Sequence, residues 1–170
     1  MTGLCFVDAN VLVYIRDSRD RAKQVRANAW HEHLWRERQG RTSMQVLSEY
    51  YVNARRLGGV APDDLWKSVE RYFAWNPQPI DESLLRRAHE VEQRWRLSWW
   101  DSMVVAAAQL QDCPVLLTED LQDGGVYGTV TVRSPFTLSV EEPAPAYAVR
   151  PLALASQHRP RGRPKRSAFA

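Results

Sequence analysis

Four carboxylates stand at the ends of four separate apolar segments of the chain, namely Asp8, Glu49, Asp101 and Asp120. A folded domain does not gather acids for stability, because like charges repel and burial raises the cost of each charge. If these four side chains converge, we expect them to converge on a cation. Oxygen-only ligation favours Mg²⁺ or Mn²⁺, and such a site is suited to the hydrolysis of phosphodiester bonds.

Each acid taken alone has a simpler explanation. Asp8 could cap a short helix, and Asp101 falls in a helix first turn, where a carboxylate suits the helix dipole. Glu49 could belong to a solvated helix face, although Asn53 four residues later could orient it. Asp120 could form an Asx turn. Only the four acids together indicate a site.

The apolar runs predict strands that alternate with helices. Strands are expected at residues 3–7, 41–43, 114–117 and 126–132, and helices at 10–15, 20–38, 43–57, 61–74, 81–94 and from about 98 onward. This alternation predicts an α/β fold with a parallel sheet flanked by helices. Ligands bind beyond the carboxyl ends of the strands in such sheets, and both Asp8 and Asp120 follow a predicted strand.

Helical periodicity also predicts which side chains are buried. In the helix over 20–38, Val25, Ala29, Trp30 and Leu34 share one side. Four of the seven tryptophans, which lie in or directly after predicted helices, are expected mainly in the core: Trp30, Trp66, Trp75 and Trp95.

Four segments, in this order along the chain, resemble the PIN-domain family. They are FVDANVL at 6–12, SE at 48–49, WDSMVVAAA at 100–108 and LLTEDLQDG at 116–124. The resemblance extends over about residues 3–137. The spacing of the segments is most similar to that of the VapC-type toxin ribonucleases of bacterial toxin–antitoxin pairs.

The resemblance implies a three-layer α/β/α fold with a central, mainly parallel sheet. It also implies an endoribonuclease that depends on Mg²⁺ or Mn²⁺ and hydrolyses RNA phosphodiester bonds. One or two ions would activate a water molecule and offset the charge of the transition state. The catalytic and metal-binding acids would be Asp8, Glu49, Asp101 and Asp120, with Asn10 and Thr118 in support. The partners implied are the RNA substrate, a cognate antitoxin and a second copy of the chain in a homodimer.

Two further acids lie close to Asp120 in the sequence. Asp123 could supply another ligand, although a turn with Gly124 explains it equally well. Glu119 is adjacent to Asp120, and we expect its side chain to point elsewhere.

Charge is divided unevenly along the chain of 170 residues, whose net charge is +3. Residues 150–170 carry six basic and no acidic side chains, which leaves 17 basic and 20 acidic side chains in residues 1–149. We therefore predict a nuclease domain over residues 1–140. A Pro/Ala/Arg-rich tail over 141–170 lacks the apolar periodicity needed to fold alone and is expected to be disordered.

The tail contains the segment RPRGRPKR at 159–166, which resembles an AT-hook. In that interpretation Arg161, Gly162, Arg163 and Lys165 contact the minor groove of A·T-rich DNA. A polybasic segment that attracts RNA or any polyanion explains the same residues, and both alternatives stay open.

Composition also bears on which classes of protein the chain can belong to. The two cysteines form neither a zinc-site spacing nor a disulfide framework, and no signal peptide or membrane-spanning run is visible. A cytoplasmic protein is expected. Two alternatives remain for its function: a nuclease acting on DNA, and a non-catalytic protein that binds nucleic acid through its AT-hook-like tail.

Overall fold

The computed structural model describes residues 3–137. Five strands form one mixed sheet in the order β2-β1-β3-β5-β4. The strands are β1 Cys5–Val7, β2 Gly40–Arg41, β3 Val115–Leu117, β4 Val126–Tyr127 and β5 Val130–Arg133. Strands β2, β1, β3 and β5 run parallel, and β4 pairs antiparallel with β5. The predicted α/β fold with a mainly parallel sheet is confirmed.

Six α-helices within residues 3–137 flank this sheet. They are α1 Ala9–Tyr14, α2 Arg21–Arg36, α3 Met44–Leu57, α4 Pro62–Arg71, α5 Glu82–Trp95 and α6 Trp99–Leu110, and a 3-10 helix, Tyr72–Trp75, follows α4. Helix α5 packs against α6, which contacts β3 and β5, while α1 packs against α2 and α3. Helix α3 begins after Ser43, whose hydroxyl caps the helix by accepting a hydrogen bond from the Val46 amide.

The core lies between the sheet and the helices. Strands β1 and β3 are buried throughout, which fits their continuous apolar sequences. Residues 102–108 of α6 are all buried, and their small side chains allow this helix to pack closely. Its N-terminal first turn remains accessible, and this accessibility places Asp101 at the edge of the core.

The prediction of the last strand is wrong in one respect. Residues 126–132 are not one strand but a hairpin, because the chain reverses between β4 and β5. Gly128 lies in this reversal with φ of 65°, a conformation that glycine adopts without steric cost.

Two predicted core residues lie at the surface instead. Val25 is 55% exposed and Trp66 is 47% exposed, whereas Trp30 and Trp75 are buried as expected. Trp66 packs edge to face against Tyr51, and its indole N–H donates to Glu70. Both contacts are made at the surface of the domain. The buried face of α2 is formed by Ala27, Trp30 and Leu34, which excludes Val25 from it.

No helix within residues 3–137 is long and apolar enough to cross a membrane. The predicted domain boundary at 140/141 and the whole tail, including Arg161, Gly162, Arg163 and Lys165, lie outside the described residues.

Candidate active site

The register of the sheet brings the first acid next to a hydroxyl. Val7 of β1 pairs with Leu117 of β3, so the residues that follow them, Asp8 and Thr118, are neighbours at the carboxyl ends of the two strands. The Asp8 amide donates to the Leu117 carbonyl at 3.1 Å, which extends the ladder by one residue. The Thr118 hydroxyl donates to Asp8 Oδ2 at 2.7 Å.

Thr118 is the centre of a small polar network. Its Oγ1 accepts hydrogen bonds from the Asn10 side-chain amide at 3.0 Å and from the Asp120 backbone amide at 3.1 Å. Asn10 Nδ2 also donates to Asp120 Oδ2 at 2.9 Å. Thr118 thus accepts two hydrogen bonds and donates one, and the network connects Asp8 with Asp120.

Helix α3 supplies Glu49. The side chain of Gln45, one turn earlier, donates from Nε2 to Glu49 Oε1 at 2.8 Å. The sequence suggested Asn53 as the orienting residue, but the amide that contacts Glu49 belongs to Gln45. Asn53 lies nearby, and its Oδ1 accepts a hydrogen bond from Arg56.

The N-terminus of α6 supplies Asp101. Ser98 caps this helix by accepting a hydrogen bond from the Asp101 amide at 3.1 Å. The same hydroxyl donates to Asp101 Oδ2 at 2.7 Å. One serine therefore both caps the helix and holds the carboxylate.

Glu49, Asp101 and Asp120 line one cavity of about 620 Å³, here called the acidic cavity. Its other lining residues are Gln45, Ser48, Val52, Asn53, Ile80 and Trp100. Asp8 is only 7% exposed, and it joins the cavity through Thr118 and Asn10 rather than by lining it. The structure thus brings three predicted acids to one cavity and connects the fourth to them through hydrogen bonds.

The charges of these acids affect one another. Burial raises the pKa of Asp8 to about 6, and the hydrogen bonds from Thr118 and the Ala9 amide oppose this rise. The negative charges of Asp120 and Glu49 contribute to this raised pKa. The carboxylate that follows β1 therefore responds to acids that come from two other segments of the chain.

The PIN-domain family model matches residues 5–122, which include all four acids and both supporting residues. The chain belongs to the PIN-domain family. PIN domains have a nuclease fold and generally depend on divalent metal ions. No curated protein matches the chain.

The donor chemistry of this PIN domain fits a hard divalent cation. All of the candidate ligands are oxygens, and two buried amide oxygens, Asn10 Oδ1 and Gln45 Oε1, have no hydrogen-bond partner among residues 3–137. Both amides already hold a carboxylate of the site through their nitrogens. Within those residues no three His, Cys, Asp or Glu side chains lie close enough together to hold an ion as they stand.

Two acids near Asp120 have other roles in the PIN domain. Glu119 forms an ion pair with Lys23 at 2.5 Å, so it points away from the acidic cavity as expected. Asp123 accepts a hydrogen bond from the Ser134 amide at 2.9 Å and pairs with Arg133. Asp123 lies in a turn closed by the hydrogen bond from the Gly125 amide to the Gln122 carbonyl, and it does not line the acidic cavity.

Sequence reasoning did not anticipate the apolar side of the acidic cavity. Val52, Ile80 and Trp100, here called the apolar wall, are 47%, 55% and 62% exposed. The position of Trp100 next to Asp101 could have indicated its place, whereas Ile80 follows Pro79 in a loop and carries no such signal. Gln45 could have been found from its spacing of four residues before Glu49.

Proposed function

We propose that the protein is a Mg²⁺- or Mn²⁺-dependent endoribonuclease that hydrolyses RNA phosphodiester bonds. The observation that carries this proposal is the meeting of Glu49, Asp101 and Asp120 on one cavity, with Asp8 coupled to it through Thr118. Repulsion among neighbouring acids is unfavourable unless a cation offsets it. The arrangement of these acids is therefore better explained by binding of a metal ion than by a contribution to folding stability.

The four acids would hold the ion or ions, and Asn10 and Thr118 would position them. A divalent ion in this place supplies charge for the scissile phosphate and acidity for an attacking water. The Thr118 hydroxyl holds the carboxylate of Asp8, and the Asn10 amide holds Asp120. Gln45 and Ser98 do the same for Glu49 and Asp101. Each acid thus has one polar partner that limits its rotation.

The apolar wall favours an unpaired substrate strand. An indole that is 62% exposed beside three carboxylates can stack on a nucleobase, and stacking of bases on aromatic side chains is tolerant of sequence. Bases within a duplex already stack on each other and cannot use this surface. RNA, rather than DNA, follows from the resemblance to the VapC-type toxins.

We place the protein, by the same resemblance, as the toxin of a toxin–antitoxin pair in the cytoplasm. A cognate antitoxin and a homodimer would be its protein partners. Exposed apolar side chains on α4 and the following 3-10 helix, Trp66 and Phe73, offer an area where such a partner could pack. The tail would add affinity for RNA, or for DNA if its AT-hook-like segment binds a minor groove.

The test is cleavage of labelled RNA and DNA by the full chain, with Mn²⁺ and with EDTA. Cleavage of RNA only with Mn²⁺, and a loss of at least about a hundredfold in Asp101→Asn, are expected because loss of a ligand exceeds the usual effect of losing a supporting group. Asp112→Asn is the matched control, since Asp112 lies outside the acidic cavity and its φ of 52° suits asparagine. Normal cleavage by Asp101→Asn would contradict the assignment.

The basic tail favours a second candidate, a non-catalytic protein that binds nucleic acid. Replacing Arg161, Arg163 and Lys165 with glutamine in the full chain separates the two candidates. Metal-dependent cleavage that survives these replacements supports the nuclease. Binding that is lost with them, together with no cleavage by either form, supports the second candidate.

A further inference from the structure

A second cavity, of about 270 Å³, lies among α1, α2, α3 and α4 and does not share a lining residue with the acidic cavity. Two arginines, Arg16 after α1 and Arg71 at the end of α4, line it. His31, Trp35, Tyr50 and Ser68 contribute to its wall. This cavity is here called the arginine pocket.

Arg16 is held in place by a directed chain of hydrogen bonds. Ser68 donates its single hydroxyl proton to the Leu65 carbonyl at 2.7 Å, so it must accept from Tyr50 across 3.0 Å. The Tyr50 hydroxyl in turn accepts from Arg16 Nε at 2.6 Å. Within residues 3–137 the two terminal nitrogens of Arg16 have no hydrogen-bond partner. The guanidinium is therefore anchored through Nε, while its terminal N–H groups remain available to a ligand.

The positive charge of the arginine pocket is not balanced by the described carboxylates. Neither Arg16 nor Arg71 forms an ion pair within residues 3–137. The acids next to them in sequence have other partners, since Asp17 pairs with Arg19 and Glu70 accepts from the Trp66 indole.

Both guanidinium charges act on the same small region. Burial raises the pKa of Tyr72, and the charges of Arg16 and Arg71 oppose that rise. Arg71 lies over the ring of Trp35, with its Cζ 5.9 Å from the ring centroid. The Trp35 indole donates to His31 Nε2 at 2.8 Å, so the remaining nitrogen of His31 is the one that carries a proton.

We propose that the arginine pocket binds a phosphate group. Two uncompensated guanidinium groups, one of them held rigidly with its fork free, match the preference of arginine for phosphate oxygens. A phosphate would bring negative charge to two guanidinium groups that line the same cavity. The phosphate can belong to the end of a nucleic-acid strand or be free inorganic phosphate, and both use the same contacts.

The test uses ³¹P line broadening of inorganic phosphate by the full-length protein in EDTA, so that no metal can carry phosphate to the acidic cavity. We expect Arg16→Gln and Arg71→Gln each to weaken binding about tenfold or more, since each removes a charged hydrogen-bond donor. Arg26→Gln is the matched control, because Arg26 is exposed on α2 and does not line the pocket. Equal binding by all four proteins, or no binding by any, would overturn the proposal.

Two further arms sharpen the result. If Arg16→Gln fails to fold because Tyr50 loses its donor, Arg71→Gln decides the outcome, since the Arg71 side chain is exposed and has no hydrogen bond within residues 3–137.

Acetate that competes as well as phosphate would overturn the phosphate assignment. Tighter binding of a 5′-phosphorylated oligonucleotide than of its 5′-hydroxyl form, lost in Arg71→Gln, identifies a strand end; equal binding identifies free phosphate. This test is independent of whether the acidic cavity cleaves RNA.

Discussion

Asp8 is buried at the carboxyl end of β1, and its environment works against its charge. Burial and the charges of Asp120 and Glu49 raise its pKa to about 6, while two hydrogen bonds oppose the rise. The unfolded chain would titrate this group near pH 4. Folding without a bound cation therefore becomes less favourable once Asp8 has to ionise.

The stability of the metal-free protein should depend on pH through Asp8. The contribution of the raised pKa is fully present below about pH 4 and is lost as pH rises through about 6, which amounts to about 3 kcal/mol. Asp8→Asn cannot ionise and should lack this component. The measurement is urea unfolding in EDTA at pH 4 and pH 7.5. The free energy of unfolding of Asp8→Asn, relative to that of the wild type, should be higher at pH 7.5 than at pH 4.

Asparagine has one acceptor oxygen where Asp8 has two, so Asp8→Asn loses a hydrogen bond from Thr118 or from the Ala9 amide and is less stable for that reason at both pH values. The comparison uses only the change in stability between the two pH values. A difference between mutant and wild type that is the same at both pH values would contradict the argument.

Trp100 should contribute to substrate binding through stacking. Trp100→Ala should raise the KM for single-stranded RNA about tenfold, since one stacked base contributes about 1–3 kcal/mol, and Trp100→Phe should keep most of the affinity. Trp66→Ala is the control, because Trp66 is also an exposed tryptophan but lies outside the acidic cavity. Steady-state kinetics that change equally in both alanine variants would argue against a stacking role.

Asp8, Asp101 and Asp120 are predictable from the sequence because they stand at strand or helix termini beside apolar segments. Glu49 lies within α3, so only its place among the resembling segments indicates it. The polar partners of the four acids divide into two kinds. Asn10 and Thr118 belong to the resembling segments. Gln45 and Ser98 lie outside them, but their helical spacing of four residues before Glu49 and three before Asp101 allows the contacts that the structure shows. Ile80 could not be predicted, since its position depends on the path of a loop.

At the scale of elements, α6 combines two functions in its first turn. Its body from 102 to 108 is buried and small, and this close packing holds its N-terminus at the edge of the acidic cavity. Ser98 caps that terminus and also bonds the Asp101 carboxylate. Stability and positioning thus depend on one hydroxyl.

Ser98→Ala should affect stability and cleavage together. Loss of the cap should lower the free energy of unfolding by about 1 kcal/mol, and the freed Asp101 carboxylate should lower the cleavage rate. Asp81 caps α5 by accepting from the Leu84 amide but lies outside the acidic cavity. Asp81→Ala should therefore cost similar stability in a urea titration while leaving the rate unchanged; equal losses of rate would show that Ser98 acts through stability alone.

Helices and the buried strands are predictable because their periodicity and caps are local. The hairpin of β4 and β5 is not, because the alternation over 126–132 fits one strand as well as two. Only the pairing of Val126 with Thr131 and of Tyr127 with Val130 distinguishes them. The surface position of Val25 has the same origin: its spacing is compatible with two faces of α2, and packing selects the other one.

The whole molecule separates its charges. Residues 1–149 carry an excess of acids and the last 21 residues carry only basic charge. An acidic PIN domain would repel RNA without a cation, so the proposed metal and the basic tail would both assist approach of the proposed RNA substrate.

Mn²⁺ should raise the melting temperature of the full chain. A ligand that binds only the folded state adds about 2.7 kcal/mol of stability at a hundredfold excess over its Kd. The shift should be smaller at pH 5 than at pH 7.5, because protons compete for Asp8, whose pKa is about 6. A calorimetric scan in which Mn²⁺ and EDTA give the same melting temperature at pH 7.5 would count against binding.

The account depends most directly on one shared ion site, and a calorimetric titration of Mn²⁺ at pH 7.5 tests it. The wild type and Asp112→Asn should bind with the same Kd, while Asp8→Asn, Glu49→Gln, Asp101→Asn and Asp120→Asn should each bind more weakly. The four weakened variants would show that acids from four separate segments hold the same ion. Unchanged affinity in all four variants, or no binding by the wild type, would contradict the account.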